Sequence, residues 1–104
     1  MRASNELTRE DILQHLRSTK GHLRKTYHVR RIALIGSFAR NEHRAQSDID
    51  LLVDIEEGTP GLFDLKRALR EELEREFGRP VDLASERYLK PYYRAHILQE
   101  AVYA

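Results

Sequence analysis

The chain has 104 residues, of which 40% are hydrophobic and 34% are charged, and its net charge is +1. This composition predicts one soluble globular domain over residues 1–104 and excludes a disordered chain. The absence of cysteine excludes disulfides and thiolate metal sites. No apolar stretch resembles a membrane span or a signal peptide, so we expect a cytoplasmic protein without a membrane partner. The small net charge argues against nucleic acid as a direct partner.

The first predicted element is a helix that begins near Thr8. Thr8-Arg9-Glu10-Asp11 resembles a helix start, because a threonine hydroxyl can cap the free backbone N–H groups of a first turn. The apolar residues that follow at helical spacing predict one buried face, made of Ile12, Leu13, Leu16 and Leu23.

An apolar run over residues 31–35 predicts a buried strand that ends at Gly36. Without a Cβ, Gly36 permits unusual dihedrals and the close approach of a ligand to the backbone. The next residues, from Ser37 to Arg40, resemble the start of a short helix, whose free N–H groups favour a phosphate. Ser37 adds a hydroxyl, and Arg40 can contact a phosphate oxygen or fix nearby carboxylates. Gly36, Ser37 and Arg40 are therefore candidate nucleotide-binding residues, although the loop lacks a Walker-type ending.

A second apolar run, over residues 49–53, predicts a strand entered through Ser47 and Asp48. Side chains alternate along a strand, so Asp48 and Asp50 are expected on one face. Two adjacent carboxylates repel each other, and a divalent cation removes that conflict. Oxygen ligands without cysteine suit Mg²⁺ or Mn²⁺ better than Zn²⁺. Asp54, with Glu56 and Glu57, is expected at the solvated end of this strand.

A second helix is predicted from about Gly61 to Phe77, with a leucine stripe at helical spacing and Gly78 as its stop. Pro80 then opens a short strand that carries Asp82. On a strand beside Asp50, Asp82 can act as a metal ligand and as the general base for a hydroxyl acceptor. A closing helix completes the predicted order of helix, strand, short helix, strand, helix, strand and helix, which is an α/β layer architecture.

Histidines and tyrosines leave alternatives open. The five histidines show no metal-ligand spacing and are expected at the surface, with a nucleotide contact as the alternative for His43. Four tyrosines near the C-terminal end either pack the closing helix onto the sheet, which we favour, or form an interface: Tyr88, Tyr92, Tyr93 and Tyr103.

Gly36-Ser37, ten intervening residues and Asp48-Ile49-Asp50 resemble the signature of the DNA polymerase β-type nucleotidyltransferase superfamily, and more narrowly of minimal nucleotidyltransferase (MNT) domains. The resemblance runs from the first strand to residues 97–103. It implies a small mixed sheet flanked by helices, two Mg²⁺ ions, and nucleotidyl transfer from a nucleoside triphosphate to a hydroxyl. The family's catalytic and metal-binding aspartates correspond to Asp48, Asp50 and Asp82. Asn41 replaces a frequent glycine, and because asparagine tolerates a left-handed conformation the turn should persist.

Three functions follow from this resemblance. The first is transfer of AMP from ATP to a tyrosine of a partner HEPN-domain toxin, because stand-alone MNT domains are typically antitoxins, and this predicts a hetero-oligomer. A chain of 104 residues leaves no room for an acceptor-binding domain, which fits an acceptor carried by a partner. The second is a non-catalytic antitoxin that occludes its partner. The third is a small-molecule, aminoglycoside-type transferase, which normally carries a further C-terminal domain.

Overall fold

A four-stranded sheet with helices on both faces organises residues 6–104, the part of the chain that the computed structural model describes. In chain order the elements are α1 (Arg9–Ser18), α2 (Lys20–Tyr27), β1 (Val29–Ile35), α3 (Gly36–Ala39), β2 (Ile49–Ile55), α4 (Leu62–Phe77), β3 (Val81–Ser85), a 3₁₀ turn (Glu86–Tyr88), α5 (Pro91–Glu100) and β4 (Val102–Tyr103).

The sheet is mixed, with the strand order β3-β2-β1-β4. β1 is antiparallel to both β2 and β4, whereas β2 and β3 are parallel. This confirms the predicted mixed sheet flanked by helices. Its register places Asp50 opposite Ile35 on one side and beside Asp82 on the other.

The two faces of the sheet carry different amounts of apolar packing. The main core lies between the sheet and α1, α2 and α4, and its β2 contribution is the alternate set Ile49, Leu51, Val53 and Ile55. The opposite face holds a smaller cluster of Ala33, Ile35 and Leu52, covered by apolar residues of α5 and its flanks. Because side chains alternate along a strand, Asp50 shares this second face with Leu52.

The N-terminal helix is confirmed at its start and interrupted later. The Thr8 hydroxyl accepts a hydrogen bond from the Asp11 backbone N–H at 3.1 Å, and the Asp11 carboxylate accepts one from the Thr8 N–H at 3.0 Å. Thr19 then ends α1, and α2 continues until His28 adopts a left-handed conformation with φ of 59°. Two helices therefore carry the apolar face that was predicted for one.

The C-terminal end differs from the predicted closing helix, because α5 is followed by β4, which pairs with β1. A buried carboxylate fixes this end: Glu86 accepts two hydrogen bonds of 3.0 Å from Arg31 and one of 3.2 Å from the Tyr103 hydroxyl. Within residues 6–104, no helix has the length and apolar character needed to cross a bilayer.

Candidate functional site

The residues singled out from the sequence meet where β1 ends and where β2 and β3 begin. Ile35, the last residue of β1, pairs with Asp50, and Asp50 pairs with Asp82 in the parallel β2–β3 ladder. Gly36 follows Ile35 directly and begins α3. Three neighbouring strands thus bring the glycine and two of the aspartates to one place at the edge of the second face.

Gly36 adopts a backbone conformation that favours glycine, with φ of 75°. A Cβ at this position would collide with Oδ2 of Asp50. The unusual dihedral was expected, but the group that needs the empty space is the Asp50 carboxylate. Gly36 is therefore required by the packing of the loop against a candidate metal ligand.

Ser37 and Arg40 lie on α3 and immediately after it. Ser37 is half-buried, and its hydroxyl makes no hydrogen bond to any residue of the described chain. Arg40 is held by two carboxylates: its Nε donates to Glu42 at 2.9 Å, and its Nη1 donates to Glu100 at 3.1 Å. The structure thus shows the second of the two roles expected for Arg40, the fixing of nearby carboxylates.

The three aspartates differ in their surroundings. Asp48 is exposed just before β2, Asp50 is half-buried within β2, and Asp82 is exposed on the edge strand β3. Burial raises the pKa of Asp50 above its ordinary value, and the negative charges of Asp82 and Asp48 raise it further. The negative charge of Asp50 is therefore unfavourable at this place, and the positive charge of Arg40 offsets it only in part.

The donor set fits a divalent cation, although the side chains are not gathered around one point. Three carboxylates with no nearby thiolate provide the hard oxygen ligands that Mg²⁺ prefers, and a cation there would offset the repulsion felt by Asp50. Across residues 6–104, no three His, Asp or Glu side chains already stand close enough to hold an ion. Binding would therefore require side-chain rearrangement at Asp48 and Asp82.

Glu100, at the end of α5, belongs to the site and was missed from the sequence. Its Oε2 accepts a hydrogen bond from the Gly36 backbone N–H at 2.6 Å, and Oε1 accepts one from Arg40 at 3.1 Å. The Gly36 contact spans 64 positions of the chain. No local sequence pattern indicates such a contact.

The connection between α3 and β2 is anchored by stacked side chains. The buried Phe38 ring stacks on His43 with centroids 4.1 Å apart, and the Arg79 guanidinium lies 5.3 Å from the Phe38 ring centroid. Arg79 also donates to the Ser47 carbonyl at 3.0 Å, just before Asp48. Within the described chain, His43 thus packs on Phe38.

The predicted left-handed turn is confirmed, since Asn41 has φ of 60°.

The strand that carries Asp82 is tied to α4 at both ends. Glu74 accepts a hydrogen bond from the Val81 backbone N–H at 2.9 Å, and Lys66 donates to the Ser85 hydroxyl at 2.8 Å. Both contacts cross from a helix to an edge strand, where only one neighbouring strand fixes the register. α4 therefore contributes to the placement of Asp82.

Two expectations away from the aspartates are corrected. Asp54 is not at a solvated strand end, because its side chain is only 13% exposed and lies 3.8–4.0 Å from three guanidinium groups, those of Arg30, Arg31 and Arg87. The tyrosines do not pack α5 onto the sheet as favoured: Tyr88, Tyr92 and Tyr93 are 68%, 87% and 56% exposed. Leu89, Ile97 and Leu98 make that contact.

Comparison with known families identifies the family of this chain. The family model described as "Nucleotidyltransferase domain" matches residues 16–104, which include every site residue named above. The chain belongs to the nucleotidyltransferase domain family. This nucleotidyltransferase is 40% identical over 97 residues to the protein adenylyltransferase MntA of Thermococcus cleftensis, covering 93% of the chain and 96% of that relative.

Other relatives agree with this assignment. A protein of Methanocaldococcus jannaschii named "Putative protein adenylyltransferase MJ1379" is 36% identical over 97 residues, with 92% of this chain and 97% of the relative covered. A structure described as "Structure of putative minimal nucleotidyltransferase" superimposes with a TM-score of 0.79 at 33% identity, covering 96% of this nucleotidyltransferase and 98% of that chain.

A more distant structure shares the fold. It is described as "Crystal structure of the toxin-antitoxin with AMP-PNP", and it matches with a TM-score of 0.65 at 20% identity, covering 93% of this chain and 72% of that one.

Proposed function

We propose that this nucleotidyltransferase transfers AMP from ATP to a tyrosine hydroxyl of a partner HEPN-domain toxin and acts as its antitoxin in the cytoplasm. The observation that carries the proposal is the pairing of Asp50 with Asp82 on parallel strands, beside a glycine that packs against Asp50. The names of the adenylyltransferase relatives support the choice of AMP and of a protein acceptor.

The triphosphate is assigned to the loop after β1. The unbonded Ser37 hydroxyl can donate to a phosphate oxygen. Arg40 lies one turn further on and carries a positive charge beside Glu100. From this position its guanidinium can make a charge-assisted contact with a phosphate oxygen.

Asp48, Asp50 and Asp82 are the residues that would hold Mg²⁺, with two ions expected. When bound, the metal supplies charge neutralisation at the phosphates and acidifies the attacking hydroxyl. Asp50, between the other two, would contribute the central carboxylate of this set. Asp82 is exposed and therefore accessible to an acceptor, so it is assigned to accept the hydroxyl proton.

The acceptor would approach from the side of Asp82. There an open cavity of about 170 Å³ lies between α4 and β3, with the 79% exposed Phe63 ring on its wall. An aromatic wall next to a general base suits a tyrosine side chain. The exposed Tyr92 and Tyr93 on α5 offer a further surface for the partner protein.

Occlusion without catalysis is the second candidate function. One observation favours it: across residues 6–104, the aspartates do not lie close enough together to form a ready metal site. Exposed aromatic residues on α5 would serve an occluding partner equally well.

The two candidates are separated by intact-mass measurement. The chain is co-expressed with the product of the adjacent gene, purified with it, and incubated with ATP and Mg²⁺. Catalysis predicts that the partner gains the mass of one AMP group or a multiple of it. It also predicts that Asp82→Asn slows this gain about 10²–10⁴-fold without breaking the complex. A stable complex whose partner mass never changes supports occlusion. Transfer to an aminoglycoside in the absence of any partner would contradict both.

A further inference from the structure

Glu100 lies in an unusual position for a carboxylate, next to the loop that is assigned to bind an anion. Its side chain is 16% exposed, and it accepts the Gly36 N–H at 2.6 Å. Both oxygens are engaged, because Arg40 Nη1 lies 3.1 Å from Oε1 and 3.3 Å from Oε2. Glu100 therefore takes its hydrogen-bond donors from Gly36 and Arg40.

We propose that Glu100 is a positioning residue of the nucleotide site, which holds the Gly36 amide and the Arg40 guanidinium in the arrangement that accepts the triphosphate. This inference rests on the proposed nucleotide site. Glycine has more accessible backbone conformations than any other residue, so the loop needs an external contact to select one. The selected conformation is the one in which the Asp50 carboxylate passes beside the Gly36 Cα.

The strength of the contact follows from its charge and burial. A hydrogen bond to a carboxylate is stronger than one between neutral groups, and low exposure reduces its screening by solvent. An ordered loop loses less conformational entropy when the nucleotide binds. Glu100 thereby connects α5 with the phosphate-binding loop.

The test is calorimetric titration of ATP with Mg²⁺ into wild type, Glu100→Ala and Glu100→Gln. Loss of one charged hydrogen bond predicts a dissociation constant about tenfold higher for Glu100→Ala. Glu100→Gln keeps an acceptor for the Gly36 N–H and should recover at least half of the binding free energy that Glu100→Ala loses. Gln99→Ala and Glu71→Ala are matched controls, since both residues are exposed and neither makes a side-chain hydrogen bond within residues 6–104.

Two further measurements separate positioning from a purely structural role. Melting temperatures are recorded for each variant, and all titrations are made well below them. In an Arg40→Ala background, Glu100→Ala should weaken ATP binding by less than it does alone, because the guanidinium that it orients is absent. Should Glu100→Ala not fold, the comparison of Glu100→Gln with Glu100→Asp, which keeps the charge but shortens the reach, replaces it.

The outcomes are distinct. Tighter ATP binding in Glu100→Ala would show that Glu100 competes with the triphosphate, and would overturn the proposal. A lower melting temperature with unchanged ATP affinity would also overturn it, because Glu100 would then only stabilise the fold. Either result leaves wild-type binding and transfer intact, and hence the proposed function. A wild-type protein that binds no ATP would overturn both.

Discussion

At Gly36, the absence of a side chain serves Asp50. The Asp50 carboxylate occupies the space that a Cβ would need, and the positive φ adds a backbone cost for any other residue. The pKa of Asp50 is raised by burial first, and next by the neighbouring Asp82. Asp50 is therefore tightly packed against Gly36, and its negative charge beside Asp82 is unfavourable without a cation.

Gly36→Ala should push Asp50 aside, lower the free energy of unfolding by about 1–2 kcal/mol, and weaken ATP binding with Mg²⁺ by at least about tenfold. Ser37→Ala should spare the fold and weaken ATP binding by about 1.5–3 kcal/mol, the loss expected for one hydrogen bond to a charged phosphate oxygen. Gly58→Ala is the matched control, because Gly58 also has positive φ but nothing lies within 4 Å of its Cβ position. Equal losses at Gly36 and Gly58 would contradict the role of Asp50 in this effect.

Asp50→Asn should abolish transfer and raise the free energy of unfolding when no metal is present. The folded protein raises the pKa of Asp50, so its protonated form is favoured and its charged form destabilises the fold. The stability advantage of Asp50→Asn should therefore be present at neutral pH and shrink as the pH falls through the pKa of Asp50. Urea unfolding across this range measures it, with the exposed Asp64→Asn as control. Full Mg²⁺-dependent activity in Asp50→Asn would refute the assignment.

Asp82→Asn separates chemistry from binding. With Asp50 and Ser37 intact, ATP binding should remain measurable, whereas transfer should fall about 10²–10⁴-fold, the usual contribution of a positioned base. Calorimetry and intact-mass assays give the two values independently. Wild-type protection of cells by Asp82→Asn would favour occlusion instead.

At the scale of elements, strongly patterned segments were predictable and weakly patterned ones were not. β2 was predicted because it contains a short apolar run entered through polar residues, and α4 because its leucines repeat at helical spacing up to Gly78. β4 was missed because two residues carry no periodicity, and its pairing with β1 depends on tertiary structure. The break at Thr19 was missed because the apolar face continues across it.

The candidate site was predictable where its residues are close in sequence. Gly36, Ser37, Asp48 and Asp50 occupy adjoining segments, and alternation along β2 is a local rule. Glu100 and Glu74 were not predictable, because each contributes through a contact between different elements. Carboxylates on helices are usually solvated, so the sequence does not distinguish Glu100 and Glu74 from exposed glutamates on helices.

Glu74→Ala should lower transfer activity with only a small loss of stability. Loss of its hydrogen bond to the Val81 N–H should cost about 0.5–1.5 kcal/mol of unfolding free energy and loosen the start of β3. Because Asp82 is the next residue, transfer should fall several-fold, while ATP affinity changes little. Glu74→Gln, which retains an acceptor, should restore most of the activity. An activity loss in Glu74→Gln equal to that in Glu74→Ala would argue against this positioning effect.

At the scale of the whole molecule, the two helical layers differ in how much of the core they bury. α1, α2 and α4 bury the main core, whereas α5 contributes no fully buried residue and exposes Tyr92 and Tyr93. Exposed aromatic side chains are enriched at protein interfaces. The α5 layer is thus the surface proposed to contact the body of the partner, in addition to the acceptor cavity at Asp82.

A double change of Tyr92→Ser and Tyr93→Ser should weaken the complex with the partner by at least about tenfold, since aromatic interface residues often contribute more than 1 kcal/mol each. Melting temperature and ATP affinity should remain near wild type, because both side chains are exposed. Gln14→Ala, on the opposite layer, is the control. Unchanged partner affinity, measured by surface plasmon resonance, would move the interface elsewhere.

The contact between Gly36 and Glu100 also bears on protein synthesis. The loop emerges from the ribosome well before residue 100 is made, and the two are 64 positions apart. β1 likewise waits for β4, in which Val102 pairs with Leu34 of β1. We therefore expect a ribosome-bound chain whose β4 is still in the exit tunnel to order its nucleotide loop poorly and to bind ATP weakly.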